Sequence, residues 1–156
     1  MRLKIPAASV WLLAVIAFPI LTCRSAIAAD FHLQAQLLWA TDGEKSPEGK
    51  NYKPVEAAIA KKLKDIPLKW KNYFEVNRTN FVVASTAVRK VAISEKCQLE
   101  VSTRGDSSIE VKLIGKTKEV IKRTQSLPPG EILAVGGNSP NDTGWLVVIR
   151  QVPKGK

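Results

Sequence analysis

The stretch Lys69–Arg78, KWKNYFEVNR, decides how this chain is read. Trp70, Asn72, Phe74 and Val76 alternate with Lys71, Tyr73, Glu75 and Asn77. Side chains of a β-strand point alternately to its two faces, so the pattern predicts a strand with an apolar side and a wet side. Thr79–Ala84 continues it or turns back. Further strands are predicted at Ala87–Ser94, Cys97–Arg104, Ile109–Ile114, Lys118–Ser126, Ile132–Val135 and Trp145–Val152. Turn residues separate them: Gly105-Asp106, Gly115-Lys116, Pro128-Pro129-Gly130 and the longer Gly136–Gly144. Short strands with such punctuation predict a mainly β domain, a small antiparallel sandwich or barrel-like fold, and argue against a βαβ fold. Leu99 and Val101 on one side of Gly105-Asp106 match Val111 and Leu113 on the other, as in a hairpin. Trp145–Val152 is apolar on both faces in its first half, which predicts a central strand.

Upstream, Phe31, Leu33, Ala35, Leu37 and Trp39 alternate with His32, Gln34 and Gln36, a half-buried strand. Thr41–Lys53 is rich in Gly, Pro, Asp, Asn and Ser and reads as an exposed loop. One short helix follows, over about 54–64. Pro54 suits a first turn. Val55, Ala58, Ile59 and Leu63 form its apolar stripe. Glu56 at the start and Lys61, Lys62 and Lys64 at the end match the helix dipole.

The amino terminus reads as a secretory signal, residues 1–29, followed by a single β-rich domain over 30–156. Met1-Arg2-Leu3-Lys4 is basic, Val10–Leu21 is apolar but for Pro19, and Ala26-Ile27-Ala28-Ala29 offers small residues for cleavage after Ala28 or Ala29. The apolar run is shorter than the ~20 residues of a membrane-spanning helix. Thr22 stands where lipoprotein signals carry Gly, Ala or Ser, which argues against a lipid anchor at Cys23. Losing Arg2, Lys4 and Arg24 takes the formal net charge from +10 to +7. No other segment is long and apolar enough to span a membrane. The localisation expected is periplasmic or extracellular. Cys97 alone would remain, on the apolar face of its strand, where a single cysteine acts as a small hydrophobe.

The residues available for catalysis are few. His32 is the only histidine and sits near the predicted terminus, on a polar face. No CxxC, HExxH, GxSxG or Walker pattern occurs. The acids mostly alternate with lysines, as on a solvated sheet face. No catalytic residue, metal ligand or cofactor is assigned. Asn138, Asn141 and Asp142 match no calcium loop. The strongest signal outside the core is positive charge. Lys61, Lys62, Lys64, Lys69 and Lys71 fall within eleven residues and form, with Tyr73 on the wet face, a candidate site for an anionic partner. Nucleic acid is not expected, since no recognition helix or RNA-binding aromatic signature is present.

The ordered segments LLWATD (37–42), KPVEAAIAKKL (53–63), KWKNYFEVNR, CQLEV (97–101) and NDTGWLVVIR (141–150) resemble an uncharacterised group of short exported bacterial β-rich proteins. The resemblance implies export and β structure and carries over no catalytic or ligand residue. The functional expectation is an exported, non-enzymatic binding or structural module of the cell envelope. It would dock to an anionic polymer or an envelope protein through the basic corner. The alternative is a small envelope hydrolase using a pair of carboxylates.

Overall fold

A computed structural model describes residues 30–154 except 86, 106, 116 and 117. The predicted signal segment, residues 1–29, with Cys23 and both candidate cleavage positions, lies outside the described residues. Among the described residues, nine strands and one helix follow in the order β1 (Phe31–Thr41), β2 (Lys53–Pro54), α1 (Ala57–Lys64), β3 (Asn72–Val83), β4 (Val88–Ser94), β5 (Cys97–Thr103), β6 (Ser108–Gly115), β7 (Lys118–Ser126), β8 (Ile132–Asn138) and β9 (Gly144–Gln151). They form two antiparallel sheets, β2-β3-β1-β9-β8 and β4-β5-β6-β7. The sheets face each other as a sandwich and do not close into a barrel.

Between the sheets lies the larger core. Leu33 and Ala35 of β1, Phe81 and Val83 of β3 and Val147 and Ile149 of β9 meet Val91, Ile93, Leu99, Val101, Val111 and Leu113 of the other sheet. Leu99 pairs with Leu113 and Val101 with Val111, the register expected of that hairpin. β9 is central, between β1 and β8, with Val147, Val148 and Ile149 all buried. Pro129 and Gly130 turn the chain into β8. Glu131 N–H bonds the Pro128 carbonyl at 3.1 Å, and Gly130 has φ +88°, as a type II turn requires of its third residue.

A second core fills the outer face of the five-stranded sheet. Leu38 and Ala40 of β1, Leu146 and Val148 of β9 and Ile132 of β8 are covered by Val55, Ile59 and Leu63, with Trp70 and Tyr73 closing one end. Burying a side chain such as Ile59 or Leu63 stabilises by about 1.5–3 kcal/mol each. An eight-residue helix is marginal alone, so this packing holds it.

Four expectations change. The helix begins at Ala57; Pro54 instead lies in β2, opposite Phe74. Gln34 and Gln36 are buried, because the sheet has a covered outer face where one-sided wetting was expected. Lys69–Arg78 does not keep one alternation. β3 starts at Asn72, and opposite Leu37 and Leu38 the register passes from Asn77 to Glu75, leaving Val76 as a bulge. A bulge exchanges the faces beyond it. Phe74 therefore lies on the same side as Trp39, their rings 5.9 Å apart, while Trp70 and Tyr73 belong to the helix-side core. Tyr73 is accordingly not on a wet face: it is 6% exposed, and its hydroxyl donates to the Trp70 carbonyl at 2.7 Å.

Candidate functional site

The five lysines of the predicted corner stand on the shell of the helix-side core. Lys61, Lys62 and Lys64 occupy the last turn of α1. Lys69 and Lys71 flank Trp70 on the segment that returns to β3. Leu63, Ile66, Leu68 and Trp70 share one apolar cluster, which fixes this segment against the helix end. Lys69 donates to the Asp142 carboxylate at 2.8 Å, and Lys62 lies 3.6 Å from Glu131. Lys61, Lys64 and Lys71 are exposed and have no ion-pair partner among the described residues. Tyr73 does not join them. Burial pushes its hydroxyl up, with Asp42 adding to the effect, so it stays a neutral donor inside the core. Arg78 and Lys90, further along the chain, are paired with Glu75 and Glu56 and with Glu100 respectively.

Sequence reading missed a polar network on the same outer sheet face. Glu56, just before α1, accepts from Arg78 of β3 at 2.6 Å and from Arg150 of β9 at 2.9 Å. Arg78 also holds Glu75. The Arg150 Nε donates to Gln34 at 3.0 Å, and Gln34 donates to Asn80 at 2.9 Å. Gln36, 1% exposed, donates to Gln34 and Glu75, each at 3.3 Å. The available signal was the set of polar residues at alternate positions of otherwise apolar strands: Gln34, Gln36, Arg78, Asn80 and Arg150.

This network bears on acid–base chemistry. Glu56 and Glu75 are two carboxylates on one arginine, the nearest arrangement to a hydrolytic pair. Burial pushes the Glu56 carboxyl up, but the hydrogen bonds from Arg78 and Arg150 more than reverse this and hold it below its ordinary value near 4.5. A general acid needs the opposite shift. Glu110, paired with Arg104 at 2.8 Å and Lys122 at 3.3 Å, is likewise held low, by the Arg104 hydrogen bond first. Asp142 is held below 3.8 by the hydrogen bond from Lys69.

Each of these three carboxyls binds fewer protons folded than unfolded just below its ordinary value. Their contribution to stability is present above about pH 4.5 and is lost as pH falls through the depressed values. Melting temperature should therefore stay level from pH 7 to about 5 and fall below 4.5, and less steeply in Glu56→Gln. Equal slopes in the two proteins would show that Glu56 is not held by its arginines.

His32 is half-buried on β1, where a solvated side chain was expected. Its carbonyl accepts from Val152 N–H at 2.9 Å, and its Nε2 has no partner among the described residues. Cys97 is half-buried against the inter-sheet core, and burial pushes its thiol up, which suits a small hydrophobe and not a nucleophile. No helix among the described residues is long and apolar enough to cross a membrane. Comparisons with protein-family models, curated proteins and solved structures gave no match.

Proposed function

We propose that this chain is an exported, non-enzymatic binding module of the cell envelope that docks to an anionic polymer through Lys61, Lys64 and Lys71, with Lys62 and Lys69 beside them. The single observation that carries the reading is that Lys61, Lys64 and Lys71, on the stretch that leads from α1 into β3, are exposed and have no carboxylate partner among the described residues. Such a surface attracts polyanions with an affinity that salt weakens. It needs no pocket and no titrating group.

Retention on an immobilised polyphosphate matrix tests it. The protein should bind at low salt and elute as salt is raised. The triple variant Lys61→Glu/Lys64→Glu/Lys71→Glu should bind about tenfold or more weakly, a loss of at least about 1.4 kcal/mol. It should melt within a degree or two of the parent, because all three side chains are exposed. Equal retention of variant and parent would remove the lysines from the docking role.

A further inference from the structure

A sheet that does not close leaves rows of unpaired N–H and C=O groups at its edges. Natural proteins blunt such edges with charge, proline, bulges or very short strands. This sandwich has four edge strands, β2, β8, β4 and β7. β2 is two residues long and consists of Lys53 and Pro54. The part of β3 that it leaves uncovered carries Arg78 and the bulge at Val76. β4 has Arg89 and Lys90 and a register shift between Ala92 and Ser94. β7 has Lys118, Glu119, Lys122 and Arg123 and a register shift against β6. β8, ILAVGGN, has no charge, no proline and an unbroken register against β9. The backbone of Ala134–Gly137 bonds to no described element other than β9.

A groove of about 430 Å³ runs along this edge. Ile66 and Leu68 form one wall and Ile121 and Arg123 of β7 the other, while Gly136 and Gly137 leave the backbone bare between them. Lys69 is the second cation on the groove, and among the described residues no carboxylate lines it. The partner of Lys69, Asp142, is 89% exposed, so that ion pair exchanges readily for another.

We propose that β8 is a strand-accepting edge, and that an extended acidic polypeptide adds to it as a sixth strand of the five-stranded sheet. Pairing with the β8 backbone supplies affinity, and pockets for alternate side chains supply selectivity. The apolar walls receive one set of side chains, and Arg123 and Lys69 pair with the acids of the other. A second copy of this chain is the poorer occupant. Pairing β8 with β8 would bring Arg123 and Lys69 of both copies together in a protein already carrying a formal +10. The proposal shares Lys69 with the lysine corner but does not rest on it.

Backbone hydrogen exchange with three short synthetic peptides tests the proposal. They are an alternating glutamate–valine peptide, its lysine–valine counterpart, and the glutamate–valine peptide N-methylated at every amide. The first should slow exchange in Ile132–Asn138 about tenfold or more, and the other two should leave it unchanged. Arg123→Glu, an exposed change, should weaken the first peptide about tenfold with the circular dichroism spectrum retained. The lysine-corner triple variant should keep the β8 protection even if it no longer binds polyphosphate, which separates the two readings. Four results would each overturn the proposal: no protection of β8 at millimolar glutamate peptide, equal binding of the lysine or N-methylated peptide, protection at β4 or β7 instead, or β8 protection that rises with protein concentration alone.

Discussion

Trp70→Ala is expected to lower the unfolding free energy by about 3–5 kcal/mol, the usual cost of truncating a buried aromatic. That is a large part of the roughly 5–15 kcal/mol that holds a typical domain together. The indole is 8% exposed and closes one end of the core beneath α1. Its Nε1 donates to the Asp142 carbonyl at 2.8 Å, and its own carbonyl accepts the Tyr73 hydroxyl. Gly144 at the start of β9 lies so close that a β-carbon there would stand 2.2 Å from the ring. One residue thus joins the helix side, the start of β3 and the turn before β9. Truncation leaves a cavity and releases the turn that presents Asp142 to Lys69. Urea unfolding is the measurement. A loss below about 1 kcal/mol would mean that the helix-side core can collapse around the gap.

The second large effect is expected from a single methyl group. Gly136→Ala should cost about 3 kcal/mol, at the upper end for overpacking. The added carbon would lie 2.1 Å from the Trp145 carbonyl oxygen and 2.9 Å from the Leu146 Cα, both backbone atoms that no rotamer change can move. Its neighbour provides the control. At Gly137 the same carbon would meet only the Trp145 ring, at 3.5–3.8 Å, which is ordinary contact. Gly137→Ala should therefore stay within about 0.5 kcal/mol of the parent. Similar losses in both variants would mean that general loss of glycine flexibility, not the close approach of β8 to β9, sets the cost.

The sandwich was legible in the sequence where burial is simple. Leu99, Val101, Val111 and Leu113 each face one core, so period-two alternation gave both the strands and their hairpin. It gave β9 as well, since a strand buried on both faces shows an unbroken apolar run. Alternation failed where one stretch serves two cores. In Lys69–Arg78, Trp70 and Phe74 are four residues apart and look like one face, yet the chain enters β3 only at Asn72 and bulges at Val76. A bulge leaves no compositional mark. Gln34 and Gln36 misled for a related reason. Polar side chains usually mark a wet face, but here they are buried because arginines from β3 and β9 and the carboxylate before α1 bond across them.

The lysine corner was legible as charge and only partly as geometry. The spacing of Lys61, Lys62 and Lys64 follows from the helix, but Lys62 pairs with Glu131 before β8 and Lys69 with Asp142 beyond its other end, so the stretch of charge is drawn out along the sheet. Asp142, the partner of Lys69, lies 73 residues further along the chain. No local pattern announces a partner at that separation. The β8 edge was hidden too, since an uncharged strand in sequence reads equally as an edge or as a centre.

The first and last strands of this domain are neighbours: β1 lies between β3 and β9. The meander β4-β5-β6-β7 needs only contacts close in sequence and can assemble as it emerges. The other sheet cannot. β8 reaches the rest of it solely through β9, so its registers close only when the final strand has arrived. Long-range pairing of this kind slows folding and delays the cooperative core until β9 is in place.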